Sequence, residues 1–354
     1  MIDSVRHIII VDSRTLHLLL CAVGCKKTHF RDFLLWLCGF DPHHNITRLT
    51  FPRTAHVWIL LKPYPQEFNK GGVIMSIAAT EKQRLADLAK ELRLNIVDVM
   101  TYSGGAHIGG SLSIVEILIM LYFRCLNIRP QEPDWEDRDR LILSKGHAAA
   151  GLIPALAMRG YFPLEQLKTF NHFGSPFAMH PDSRKVIGCD ASTGSLGHGL
   201  PMAVGLGLGA RTLKKSFKTV CIMGDGECCE GSVWEAAMAL AHFKLTNVIT
   251  VVDRNRLMID GGTEEVMALE PFAEKWRSFG FEVLEVNGHD LDQLADAFDR
   301  AWSAHDRPVL ILANTVKGRG VDFMEGNVKW HYASADSSLA QKARESIGRQ
   351  EGGI

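Results

Sequence analysis

"KTVCIMGDGECCEGSVWEAAMALAHFKLTNVITVVDRN", residues 218–255, reads as strand, glycine turn, helix and strand in succession. "TVCIM" and "VITVV" are apolar and rich in β-branched residues, as strands buried on both faces of a parallel sheet must be. The same alternation continues downstream. "EPFAEKWRSFG" reads as a helix, "FEVLEVN" as a strand, "LDQLADAFDRAWSA" as a helix and "PVLILANTV" as a last strand. Upstream, "TEKQRLADLAKELRLNIVDVMTYS" carries apolar residues at helical spacing from near Thr80, and "SIVEILIMLYFRCL" is a more apolar and so more buried helix. "DRDRLILSKGHAAAGLIPALAMRGYF" gives a short strand, a glycine turn and a helix. "GLPMAVGLGLGARTL" gives a helix whose small residues permit close packing. Residues 75–354 therefore predict one doubly wound α/β domain, a mostly parallel sheet with helices on both faces.

Residues 1–74 have a different texture. "IIIV", "LHLLLC" and "DFLLWLCGF" are broken by histidines and prolines and hold no sustained period. Leu16–Gly24 would serve as the apolar core of a secretory leader ending at Cys25, but Asp12, Ser13 and Arg14 interrupt the stretch before it. "NKGGVIM" can be encoded with a purine-rich ribosome-binding tract ahead of the Met75 codon. The expectation is thus an N-terminal extension over 1–74, disordered or arising from a mis-assigned start, with the natural product beginning at Met75.

Over the whole chain of 354 residues the net charge is −1, which gives no electrostatic case for a nucleic-acid or anionic-membrane partner. No apolar run reaches the ~18 residues of a membrane span. The eight cysteines form no pair of CxxC units, which argues against a disulfide framework or a zinc ribbon and for a reducing, cytoplasmic setting.

The chemistry is expected at the carboxyl ends of the strands, where open α/β sheets bind ligands. Gly224 and Gly226 let the backbone approach a phosphate, and Ser232 with Glu235 fits a capping box that would put a helix N-terminus beside the turn. Asp225 is flanked by Glu227, Glu230 and the adjacent pair Cys228–Cys229, so the stretch is either a thiolate metal site or a carboxylate one. The next strand brings Asn255 to the same rim. A carboxylate, an amide oxygen and a nearby backbone carbonyl are hard ligands that suit Mg²⁺, whereas Zn²⁺ would want more soft ligands than two cysteines. The cysteines then read as small residues filling a tight turn.

A GDG followed by "EGSVWEAA" and then "DRNRLMIDG" resembles the thiamine-diphosphate motif as the transketolase family carries it. "SGGAHIGGSLS", "LSKGHAA", "TGSLGHGLPMAVGLGLGA" and "VKGRGVDFMEGNVKWH" resemble further segments of that family, so the likeness runs from Met75 to His331. It implies the thiamine-diphosphate-binding fold, with thiamine diphosphate and Mg²⁺ as cofactors. Asp225, Asn255 and the Leu257 carbonyl would hold the ion. His147, Gly194, Ser195, Leu196, Gly224, Asp225, Gly226, Glu227 and Asn255 would line the cofactor. His107, His147, His180 and His331 would act on the donor sugar, where imidazoles near neutrality suit proton transfer. Glu230 resembles a subunit-interface carboxylate, and otherwise reads as an ordinary first-turn helix acid. His198 stands where many relatives have glutamine, and Tyr332 where glycine is commoner.

The carboxylate that works on the aminopyrimidine ring belongs, in this family, to a second, pyrimidine-binding domain that the likeness does not reach. The implied protein is the N-terminal subunit of a split transketolase. It would move a two-carbon ketol unit between sugar phosphates, with a C-terminal partner subunit in an α₂β₂-type assembly. Two readings stand beside it. One is another thiamine-diphosphate enzyme half, similar to deoxyxylulose-phosphate synthase or to a specialised sugar or sulfo-sugar transketolase. The other is a non-catalytic regulatory subunit.

Overall fold

Five parallel strands carry the domain: β1 (Arg140–Leu143), β2 (Thr219–Gly224), β3 (Val248–Arg254), β4 (Glu282–Asn287) and β5 (Val309–Asn314). Their order across the sheet is β1-β2-β3-β5-β4. The computed structural model describes residues 76–349 and, in backbone only, three short strands nearer the N-terminus. Those strands, Ile8–Ile9, Ile46–Thr50 and His56–Leu60, form a small sheet of their own with His56–Leu60 in the middle. They belong to a separate unit, Met1–Val73; the expectations for 1–74 otherwise lie outside the described residues.

The strands are apolar along their whole length because both faces are covered. Val220 and Ile222 of β2, with Ile249 and Val251 of β3, join one core cluster, while Cys221, Met223, Val248 and Val252 join another. This alternation is the pleat of a strand read out as two cores. On the first face lie α1 (Ala79–Tyr102), α2 (Ile108–Leu112), α3 (Val115–Met120, extended by a wider turn over Leu121–Cys125) and α4 (Ala149–Arg159). The second face is covered by α5 (Gly199–Thr212) and α6 (Gly231–His242). The short α7 (Thr263–Val266) follows β3, and α8 (Phe272–Ser278) returns the chain across the second face. Helices α9 (Leu291–Ser303) and α10 (Ser337–Arg349) complete the first. The doubly wound parallel architecture expected from the sequence is the one observed. The small-residue helix α5 also packs as expected: a Cβ on Gly207 would stand 2.5 Å from Val248 Cγ2.

Two helix starts differ from the expectation. Helix α1 begins at Ala79 with no side-chain cap, rather than on Thr80. Helix α6 begins at Gly231 with Glu230 at the N-cap, so Ser232 is inside the helix and no capping box forms. Its hydroxyl instead donates to the Gly197 carbonyl at 2.9 Å.

Three elements of the first face are tied by a buried ionic cluster. Arg93 of α1 pairs with Glu116 of α3, whose other oxygen accepts from Nδ1 of His289, beyond β4, at 3.0 Å. Burial opposes the charge on Glu116, but Arg93 and His289 outweigh it and hold its pKa at about 2, below an ordinary 4.5. A carboxyl whose folded pKa is depressed stabilises the fold above its unfolded pKa, and that stabilisation is lost as pH falls toward the folded one. The wild-type advantage over Glu116→Gln should therefore be full above about pH 4.5 and shrink by about 3 kcal/mol toward pH 2. Urea unfolding of both chains across that window measures it. Parallel stability curves would show that Glu116 carries no linked charge.

Candidate active site

The site stands at the carboxyl ends of β1, β2, β3 and β5. Asp225 follows β2 directly and is 1% exposed. Its Oδ1 accepts from the Gly226 amide at 2.8 Å, and its Oδ2 from the Arg256 amide at 2.6 Å and Arg254 Nη1 at 3.2 Å. Burial, then the charge of Asp253, pushes its pKa up, partly offset by these donors. Asn255 donates Nδ2 to Asp253 at 2.8 Å, and its Oδ1 accepts from the Leu257 amide at 3.1 Å. The Leu257 carbonyl accepts from the Lys317 ammonium at 3.1 Å. All three candidate ion ligands thus present hard oxygens whose current partners are N–H donors or cations. Asp225 Oδ1, Asn255 Oδ1 and the Leu257 carbonyl each take one donor and keep a second lone pair, and a buried carboxyl with a raised pKa is one that a cation would relieve. The donor set fits Mg²⁺.

Three residues that sequence reasoning passed over organise this rim. Lys145, 1% exposed, donates to Asp253 Oδ2 at 2.6 Å and to the Gly110 carbonyl at 2.7 Å. Asp253 also accepts from Ser113 at 2.7 Å and from Thr315. Burial resists its charge, but Lys145 and these hydroxyls bring its pKa below the usual carboxylate range. Lys317, 2% exposed, bridges the Leu257 carbonyl and Nδ1 of His331, the latter at 2.9 Å. Burial, then repulsion from Lys145, lowers its pKa to about 8. Lys145 and Lys317 lie inside the family-like segments "LSKGHAA" and "VKGRG", which was the available signal.

The four predicted histidines converge. The His107 ring centroid lies 5.3 Å from that of His147, 5.9 Å from that of His180 and 5.4 Å from that of His331; His147 and His331 stack at 5.3 Å. A two-bond bridge between Ala106 and Ala333 (2.9 and 3.0 Å) clamps the first and last histidine loops together. His107 Nδ1 is buried without a hydrogen-bond partner. Near-neutral titration was expected of these rings, and the structure differs. Burial and then Lys145 bring His147 down to about 2, and burial and then Lys317 bring His331 to about 3. His107 is lowered by burial, His180 and Lys317, and His180, exposed at the rim, by the burial it has. At neutral pH they are uncharged rings that accept at one nitrogen and donate at the other.

The remaining predicted residues divide between the surface and the scaffold. Gly194, Ser195 and Leu196 are exposed beside the histidines, with a Cβ on Gly194 standing 3.1 Å from the His180 ring. Glu230 is exposed at the start of α6, and His198 is exposed with Nδ1 3.2 Å from the Leu196 carbonyl. Tyr332 is 46% exposed with its ring 5.1 Å from that of His107, forming one wall. Glu227 is buried. Its oxygens take Ser144, the Gly197 amide at 2.8 Å and the Gly224 amide at 3.0 Å, so it binds β1, the glycine-rich segment and the GDG turn to one another. Cys228 is buried with Sγ 3.5 Å from the Gly224 carbonyl, while Cys229 is exposed; the two thiols do not converge. Among the described residues no three His, Cys, Asp or Glu side chains form a metal cluster, and no helix is long and apolar enough to cross a membrane.

The family model described as transketolase, thiamine diphosphate binding domain, matches residues 84–352. The chain is 42% identical over 257 residues to a 6-deoxy-6-sulfo-D-fructose transketolase subunit of Clostridium sp. strain MSTE9, covering 73% of this chain and 92% of that protein. It is 38% identical over 258 residues to one subunit of an apulose-4-phosphate transketolase of Phocaeicola vulgatus, with coverage of 73% and 92%. A solved transketolase from Campylobacter jejuni matches with a TM-score of 0.70 and 31% identity, over 77% of this chain and 43% of that one.

Proposed function

Since the chain belongs to the transketolase family, in its thiamine-diphosphate-binding domain, we propose that it is the diphosphate-binding subunit of a two-chain transketolase that moves a two-carbon ketol unit between sugar phosphates. The observation that carries the reading is the meeting, on one rim, of an oxygen-only ion site (Asp225, Asn255 and the Leu257 carbonyl) with four converging uncharged histidines. A partner subunit is supported by relatives that are themselves named as subunits and that this chain covers almost fully; an α₂β₂-type assembly is the form proposed for the pair. Residues 75–354 are taken as the functional domain, in keeping with a family match that begins at 84. A reducing cytoplasmic setting accords with five free cysteines among the described residues.

In this reading Asp225, Asn255 and Leu257 hold Mg²⁺, which binds the diphosphate, and the backbone at Gly194–Leu196 and Gly224–Gly226 lies along it. Glu227 enters through the turn it fixes. When bound, thiamine diphosphate supplies the carbon centre to which the two-carbon unit is passed. The chain's own part is to hold the sugar. Uncharged His107, His147, His180 and His331 bond its hydroxyls and carbonyl through their free ring nitrogens. Glu230 is read as an interface carboxylate. A specialised donor, as opposed to the common ketose phosphates, is a second reading, favoured by relatives named for sulfofructose and apulose 4-phosphate.

The test is carbon accounting. The full chain, supplied with a pyrimidine-binding partner subunit, Mg²⁺ and thiamine diphosphate, is given a panel of ketose donors, with an α-keto acid as a further donor, and an aldose phosphate acceptor. Mass spectrometry should show acceptors extended by two carbons. Loss of carbon dioxide with a five-carbon product would point to the synthase-like reading. No transfer with any donor would favour a non-catalytic role.

A further inference from the structure

The loop after β5 carries Lys317 and is stapled at nearly every backbone group. The Val316 amide donates to His289 Nε2 at 2.8 Å, and the Gly318 amide to the Gly109 carbonyl at 3.0 Å. The Arg319 carbonyl accepts from Arg93 Nε at 3.1 Å. Gly320, at φ +98°, presses on Arg93 so closely that a Cβ there would stand 2.5 Å from its Nε. Three of these four staples come from the buried cluster of Arg93, Glu116 and His289. Because Nε2 of His289 accepts from Val316, its proton sits on Nδ1 and is donated to Glu116, so Glu116 fixes both the tautomer and the ring orientation.

We infer that Arg93, Glu116 and His289 are positioning residues for catalysis: they set the Val316–Gly320 backbone so that Lys317 reaches the Leu257 carbonyl and His331. None of the three touches a candidate ligand-binding atom. Their effect passes through one loop, whose ends are an ion ligand on one side and a histidine of the cluster on the other. Burial of the trio explains why a charged network sits behind an active site. Three fixed partners on α1, α3 and the segment after β4 leave the loop one place to lie. The inference rests on the reading of this rim as a thiamine diphosphate site.

Two isosteric variants separate positioning from general stability. His289→Gln places an amide oxygen near the former Nε2 and can still accept from Val316, but gives up the bond to Glu116. His289→Asn places its amide near Nδ1, keeps the bond to Glu116 and leaves Val316 without an acceptor. Both disturb the same buried cluster and should lower the melting temperature alike. Only the Asn chain should lose protection in hydrogen exchange at the 315–320 peptide, and it should bind thiamine diphosphate with Mg²⁺ about 10-fold more weakly in calorimetry with the partner subunit present. In a Lys317→Ala background the Asn effect should shrink to less than about 2-fold, because the group being positioned is gone. Arg93→Lys, which keeps the charge on Glu116 but gives up the bond to Arg319, provides the same test if the Asn chain does not fold.

Equal losses in the Gln and Asn chains, or an Asn effect that adds fully to that of Lys317→Ala, would overturn the inference and leave the trio as structural support alone. A wild-type chain that binds no thiamine diphosphate would instead overturn the reading of the site, and the inference with it.

Discussion

Replacing Asp225 with Ala is expected to abolish Mg²⁺-dependent binding of thiamine diphosphate, with a loss of about 100-fold or more in affinity. Asp225 is the only charged group among the three candidate ion ligands. The Asn255 amide and the Leu257 carbonyl are neutral, and the second of these already receives an ammonium. Without the carboxylate, the rim would hold two buried lysines and Arg254 against Asp253 and Glu227, both already committed to other donors, a poor place for a divalent cation. Asp225→Asn separates charge from shape, since it keeps the volume and one oxygen. It should bind nearly as poorly as Ala while folding as well as the wild type. Calorimetry with Mg²⁺, in the presence of the partner subunit, checks this; unchanged affinity in either variant would remove Asp225 from the ion site.

The second large effect is one of incompleteness. Purified alone, the chain should show no ketol transfer with any sugar pair, even with saturating Mg²⁺ and thiamine diphosphate, and an about equimolar partner subunit should restore turnover. The chemistry needs a carboxylate against the aminopyrimidine ring. The three buried carboxylates of this rim are already committed. Asp225 serves Gly226, Arg254 and Arg256, Glu227 serves Ser144, Gly197 and Gly224, and Asp253 serves Lys145, Ser113 and Thr315. Ile259 and Met267, on the segment that follows Asn255, are 65% and 60% exposed, apolar surface of the kind a partner would cover. Titrating partner into chain while following product gives both the stoichiometry and the requirement. Robust turnover from the chain alone would mean that it supplies the missing carboxylate itself, and exposed Glu230 would be the first to mutate.

Much of the site was legible because its signals are local. The strands of continuous Val, Ile and Leu gave the parallel sheet, and "GDG" at the end of one strand with Asn255 at the end of the next gave the candidate ion ligands. The histidine loops were identifiable one by one from family-like text, and the fold brought all four together. What could not be read was anything decided by pairing across the fold. Lys145 and Lys317 look like surface residues in a sequence, and only the third dimension shows them buried against Asp253 and the Leu257 carbonyl. Burial, reinforced by these two ammonium groups, depresses His147 and His331, which is why imidazoles expected to titrate near neutrality do not. The contact of Ser232 was hidden in the same way: the helix starts one residue before it, and its hydroxyl donates to the Gly197 carbonyl, remote in the chain and adjacent in space.

The strand order has a consequence for how the protein is made. Strand β5, the last to be synthesised, lies between β3 and β4 and pairs with both. Until Val309–Asn314 has left the ribosome, β3 keeps an unpaired edge and β4 has no neighbour to dock against. The nascent chain must carry the β3 edge and all of β4 unpaired until then, the condition under which sheet edges recruit the wrong partners. A ribosome stalled just short of Val309 should therefore display a protease-sensitive chain. Release of a few dozen more residues should convert it to a resistant one in a single step.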